Sequence, residues 1–264
     1  MKLFIAVLAL LISTSLRAGS FVDQAKKGSS SALNENEINK RKSKKEERDG
    51  RNKLSMRRIK PTSGSSDWNT DPTAIPFMLY QVKERTGLPI YINNDGLDVG
   101  SDDIFEESII YLTSHHAWAF NEKESNNLQI WLKRGGTLLL DDCYNKGSSF
   151  SDSVQPEVGK MIPGASGTIL LKTDHIVSDV FKMVYDTDWP GESLEAMRPW
   201  QYFMLDDRPA VFFTPNDDGC GWEISTPPSA SNPLGEGIGH GGDNRARERF
   251  YMWATNWMMY VYCH

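Results

Sequence analysis

Cysteine is scarce in this chain of 264 residues: Cys143, Cys220 and Cys263 are the whole set. Three thiols cannot build a disulfide framework, and no CxxC spacing points to a structural zinc site. In an oxidising compartment one pair could close and leave one thiol over, and the spacing does not say which. Long apolar runs are short too. The N-terminal run Leu3–Ile12 has ten residues, where a membrane-spanning helix needs about 20. Apolar residues nearly vanish between Asp23 and Ser66, so no core can form there. Positive charge is the last shortage: residues 67–264 carry 14 Lys/Arg against 29 Asp/Glu, a net of −15. A domain that acidic repels phosphate backbones, which argues against nucleic acid as its partner.

What is present divides the chain into three. Lys2, the apolar run, and the small residues Ser13, Thr14, Ser15, Ala18 and Gly19 read as a cleaved signal peptide over residues 1–18. That implies a secreted or periplasmic protein with no transmembrane span in the mature chain. No cysteine follows the run, against a lipid anchor. Residues 19–66 read as a basic, disordered linker, with 13 Lys/Arg against 6 Asp/Glu over 23–66, the composition of a solvated tether. Residues 67–264 hold all eight Trp and are long enough to bury one core.

Within that domain the periodicity alternates. Thr73–Arg85 has helical spacing, with Asp71 expected as its N-cap and Pro72 at its first position. Leu88–Ile92, Ile109–Thr113, Thr137–Leu140, Thr168–Leu171 and Ala210–Phe213 read as strands, Asn121–Arg134 as a helix, and Asn244–Tyr262 as a long aromatic helix. Continuous apolar strands separated by helices imply a mostly parallel sheet covered on both faces. The expected fold class is α/β, a three-layer sandwich of the flavodoxin-like or class I glutamine amidotransferase-like kind.

In such a sheet ligands bind beyond the carboxyl ends of the strands. Those ends run out into Ser114-His115-His116, Asp141-Asp142-Cys143, and Asn216-Asp217-Asp218-Gly219 followed by Gly221-Trp222-Glu223. The candidate ligand-binding residues are therefore His115, His116, Asp141, Asp142, Asn216, Asp218, Trp222 and Glu223. His175 follows Asp174 at another strand end, His240 sits in a Gly-rich loop, and His264 ends the chain.

The order Trp68-Asn69-Thr70-Asp71, a His-containing turn after a strand, Gly135-Gly136-Thr137-Leu138-Leu139-Leu140-Asp141-Asp142, Asp174-His175, and Asn216-Asp217-Asp218-Gly219 with Gly221-Trp222-Glu223 resembles the bacterial domain-of-unknown-function 4159 family. The resemblance covers Trp68 to His264. It implies a class I glutamine amidotransferase-like fold and an exported or envelope protein, and leaves the activity open.

Four functions suit these residues. A thiol amidotransferase or peptidase would use Cys143, but its neighbours Asp142 and Tyr144 are not the small residues a nucleophile elbow needs. Adjacent carboxylates would also raise its pKa. A metal-assisted hydrolase would take a divalent cation on Asp141, Asp142 and His116, with His115, Asp218 or Glu223 as further donors. No cofactor is required by the sequence, although a divalent metal is possible. Aspartates at strand ends also cap the next helix, a competing role for Asp141 and Asp142. A non-catalytic domain would bind a carbohydrate or other polar ligand, stacking it on Trp68, Trp118, Trp200 or Trp222. An assembly role would dock an envelope protein on the acidic face or on the final helix, where Trp253, Trp257, Met258 and Tyr262 recur at helical intervals. The expectation is an exported binding domain, with the metal-assisted hydrolase as the alternative.

Overall fold

A computed structural model describes residues 54–61, 67–143, 149–171, 174, 198–237 and 244–264. The residues read as a signal peptide, most of those read as a linker, His175 and His240 lie outside the described residues. The elements are β1 (Leu54–Arg58), α1 (Ala74–Thr86), β2 (Ile90–Tyr91), a 3-10 turn (Asp102–Glu106), β3 (Ile109–Ser114), α2 (Glu122–Lys133), β4 (Thr137–Asp142), α3 (Ser149–Met161), β5 (Thr168–Ile169), β6 (Gln201–Leu205), β7 (Arg208–Thr214), α4 (Asp218–Trp222), β8 (Ile224–Thr226), β9 (Glu236–Gly237) and α5 (Asn244–Cys263).

Among the described residues the main sheet has seven strands in the order β2-β1-β3-β4-β7-β6-β5. The five from β2 to β7 run parallel; β6 turns back against β7, and β5 against β6. Side-chain alternation along each strand feeds two separate cores. Tyr111, Leu139 and Phe212 face a cluster built with Ile75, Met78 and Val82 of α1 and Trp253, Trp257 and Met258 of α5. Ile110, Leu112, Leu138, Leu140 and Val211 face Leu128, Trp131 and Leu132 of α2 and Phe150, Val154 and Val158 of α3. The result is the three-layer α/β sandwich expected from the continuous apolar strands. Trp253, Trp257 and Met258 are core residues; only Tyr262, 45% exposed, stands outside. Among the described residues no helix is long and apolar enough to cross a membrane.

The sheet starts earlier than the composition suggests. β1 lies inside the segment read as linker, because Leu54-Ser-Met-Arg-Arg carries too much charge to look like an inner strand. The charges are matched inside. Arg57 pairs with Glu107 at 3.2 Å, Ser55 donates to the same carboxylate at 2.8 Å, and Arg57 also donates to the Asp95 and Gly96 carbonyls. Arg58, 2% exposed, donates to the carbonyls of Trp68 and Asp71 and lies over the Tyr111 ring. Five polar partners replace water, so two arginines can occupy a buried strand.

Candidate functional site

Pairing registers level the strand ends: Ser114 stands opposite Asp142, and Asp141 opposite Thr214. The turns that leave β1, β3, β4 and β7 therefore meet above one stretch of the carboxyl edge. Arg58 fixes the first of them through the Trp68 and Asp71 carbonyls, and Gly96 lets it settle, since a Cβ there would come within 2.7 Å of the Trp68 ring.

At the meeting point Asp71, Cys143, Asp217 and Cys220 each offer one donor atom, and these atoms all lie within 4.8 Å of one another. Asp71, Cys143 and Asp217 are buried, whereas Cys220 is part-exposed. Cys220 Sγ donates to Asp71 Oδ1 at 3.3 Å, and Cys143 Sγ lies 3.6 Å from Asp71 Oδ2. Thr70 Oγ1 is 3.1 Å from Cys143 Sγ. Asp217 reaches the cluster in a left-handed backbone conformation, φ 59° and ψ 52°. That conformation is costly for a side chain with a Cβ and is met where a turn must aim a functional group.

His115 closes the solvent side. Its Nε2 is 3.4 Å from Cys143 Sγ, and its Nδ1 is 2.7 Å from Asp67 Oδ2. Asp67 also accepts from the His115 backbone N–H and from Ser114 Oγ, so the ring is held at both ends. The His115 side chain remains 42% exposed. The Cys-His-Asp chain has the connectivity of a thiol triad, but Cys143 is not in a strained elbow. Among the described residues the non-glycine positive φ values belong to Asp206 and Asp217 alone.

The electrostatics are those of a site with surplus acid. Burial raises the Asp71 carboxyl above its ordinary range, partly offset by bonds from the thiols and by Arg58. The hydrogen bond from Cys143, then burial and the carboxylates of Asp71 and Asp217, push the Cys220 thiol far up. Beneath the cluster Asp141 accepts from Tyr111 Oη at 2.7 Å and from the backbone N–H groups of Gly219 and Asp218. Burial pushes its pKa up to about 7. Burial, then the charge of Asp141, raises Asp218 well above the carboxylate range. Each shift disfavours negative charge in the absence of a nearby cation.

The eight residues singled out from the sequence do not form one site. His115 and Asp141 reach the cluster's edge and floor. Asp218 is wholly buried beside Asp141, Thr214 and Trp200. Asp142 points to the opposite face of the sheet, where Ser151 in the first turn of α3 donates to it. Alternation along a strand sends neighbours to opposite faces, so Asp141 and Asp142 cannot share a metal. Asn216 is a clamp: its Oδ1 accepts from Arg198 N at 2.9 Å and its Nδ2 donates to Arg198 O at 2.7 Å. Glu223 accepts from Thr73 at the start of α1. His116 is exposed, bonded through its N–H to Ser114 Oγ. Trp222 is fully buried, donating to the Phe250 carbonyl. Trp118 and Trp200 are buried as well, which leaves Trp68 alone of the four proposed stacking rings near the surface. His264 packs on Tyr260.

Sequence reading missed Asp71, Cys143, Asp217 and Cys220 as a group. Asp71 is not the N-cap of α1; that position is Thr73, and the Asp71 carboxylate turns to the thiols instead. The available signal was that two cysteines follow two strands, β4 and β7, that turn out to be neighbours.

The match to known families agrees with these boundaries. No curated protein matches the chain. The model described as "Domain of unknown function (DUF4159)" matches residues 56–262, from within β1 to the end of α5, and the chain belongs to that family.

Proposed function

We propose that this is an exported domain that binds one borderline-soft divalent cation of the zinc class in the crevice above β1, β3, β4 and β7. Asp71, Cys143, Cys220 and Asp217 are the ligands in this reading, with His115 able to replace one carboxylate. A single observation carries it: two thiols and two carboxylates, from the three segments that follow β1, β4 and β7, with all donor atoms within 4.8 Å. Zinc–sulfur bonds of about 2.3 Å and zinc–oxygen bonds of about 2.0–2.2 Å, set tetrahedrally, hold donors about 3.5 Å apart. The contacts of 3.3, 3.4 and 3.6 Å among Asp71, Cys143, Cys220 and His115 match that spacing. Thiolates select zinc over magnesium or calcium, which take oxygen donors. A cation would also turn the surplus of buried acid from a cost into an attraction.

The export in this reading is supported by the leader-like composition of residues 1–18. Metal-assisted hydrolysis is the second reading, favoured by the half-exposed His115 ring held by Asp67 at the cluster's open side. A water on the cation and an oriented imidazole are the parts such a reaction needs.

The deciding experiment is metal analysis of the purified full chain, followed by cobalt(II) substitution. One equivalent of zinc, and a sulfur-to-cobalt charge-transfer band that Cys143→Ser and Cys220→Ser each weaken, are the expected results. A metal-free chain that takes up neither ion overturns the proposal. An ester and amide substrate screen on the zinc form, with His115→Ala as control, separates hydrolysis from binding alone.

A further inference from the structure

Cys143 and Cys220 also stand in another relation: they are a thiol pair. They arrive from neighbouring strands, and their sulfur atoms lie within 4.8 Å of each other. Their accessibilities differ, with Cys143 3% exposed at the end of β4 and Cys220 part-exposed on the single turn of α4. Cys263, exposed at the end of α5, is outside the cluster.

We infer that Cys143 and Cys220 form a reversible disulfide that excludes the cation, so that the centre is loaded when reduced and emptied when oxidised. The inference rests on the cation reading above, because a disulfide removes two of the four donors that reading assigns. The oxidant is an external disulfide, R–S–S–R. The accessible Cys220 sulfur attacks one of its sulfur atoms, a Cys220–SR bond forms, and the first RS⁻ leaves. The Cys143 sulfur then attacks Cys220 Sγ, the intramolecular S–S bond forms, and the second RS⁻ leaves. Two protein thiols lose two electrons; the external disulfide gains them and takes up the two protons as 2 RSH. The order follows from access, since the buried Cys143 can reach only a sulfur already inside the crevice. Closure to an S–S bond of about 2.05 Å requires the Cys220 sulfur to turn from Asp71, to which it donates at 3.3 Å, toward Cys143.

The test uses the full chain, with Cys263→Ser as a parallel variant that simplifies the mapping. After chelation and treatment with oxidised glutathione, free thiols should fall from the three of the sequence to one, and a digest should yield a linked Cys143–Cys220 peptide. The oxidised chain should take up no zinc until dithiothreitol restores it, and zinc bound beforehand should slow oxidation by about tenfold or more, since metal-held thiolates must first be released. Both thiols staying free, or ending as separate glutathione adducts, overturns the disulfide while leaving one-to-one zinc binding intact. A Cys143–Cys220 disulfide in a chain that never binds zinc overturns the cation reading, and the coupling with it.

Discussion

Gly219 is where the site is most sensitive to a single atom. A Cβ there would lie 2.6 Å from Asp71 Oδ2, 2.6 Å from Tyr111 Oη and 3.1 Å from Asp141 Oδ2. Its N–H is at the same time one of the donors that hold Asp141. Gly219→Ala is expected to push Asp71 off the thiols, destabilising the fold by about 1–3 kcal/mol, as overpacking does, and weakening zinc binding. Chemical denaturation and a zinc titration on the same variant check both. Asp67→Asn tests the other side of the cluster. It leaves the four proposed ligands in place but frees the His115 ring, so zinc affinity should fall by no more than about 10- to 100-fold, the range for outer-shell partners, as read by competition with a chelator dye.

The helices and strands owe their positions to polar matching as much as to apolar pattern. Asn121 accepts from the Glu124 backbone N–H while Glu124 accepts from Asn121 N, a complete capping box at the start of α2. Asn121→Ala should cost about 1 kcal/mol in unfolding free energy. The Arg57–Glu107 pair, which ties β1 to the end of the 3-10 turn, is worth more, because its side chains are 10% and 0% exposed. Glu107→Ala strands a buried guanidinium and a serine hydroxyl and should cost about 3–5 kcal/mol, measured by urea unfolding. A much smaller loss would mean that water reaches Arg57. The helices α1, α2 and α5 were legible from 3.6-residue spacing, whereas β1 was not. In β1 the Arg57 charge, which signals a solvated tether, is satisfied by Glu107, Asp95 and Gly96, at least 38 residues away in sequence.

For the molecule as a whole, buried acid sets the response to pH and to metal. Asp141 has an ordinary pKa of 3.8 and is pushed up to about 7 by burial. The folded metal-free chain therefore holds a proton that the unfolded chain has released between about pH 4 and 7, and stability falls as pH rises through that window. Melting curves of the chelated protein should show this decline, and Asp141→Asn should flatten it relative to the parent. Bound zinc acts the other way, since a ligand present at about 100 times its Kd adds about 2.7 kcal/mol. Chelation should lower the melting temperature at pH 7.5 and do less in Cys143→Ser, which has lost part of the site already.

The sequence by itself determined the layer architecture, the parallel character of the central strands and the edge at which chemistry gathers, because these follow from local periodicity and from which residues follow each strand. The tertiary structure decided which of those residues meet. Alternation along β4 sent Asp142 to the α3 face and kept Asp141 on the other, and the burial of Trp118, Trp200 and Trp222 removed the expected stacking platform. Strand order brought Cys143 and Cys220 together by placing β4 beside β7, and the turn after β1 carried Asp71 to them. Contacts across such distances depend on how the sheet is wound, a property of the whole chain that no local window of residues encodes.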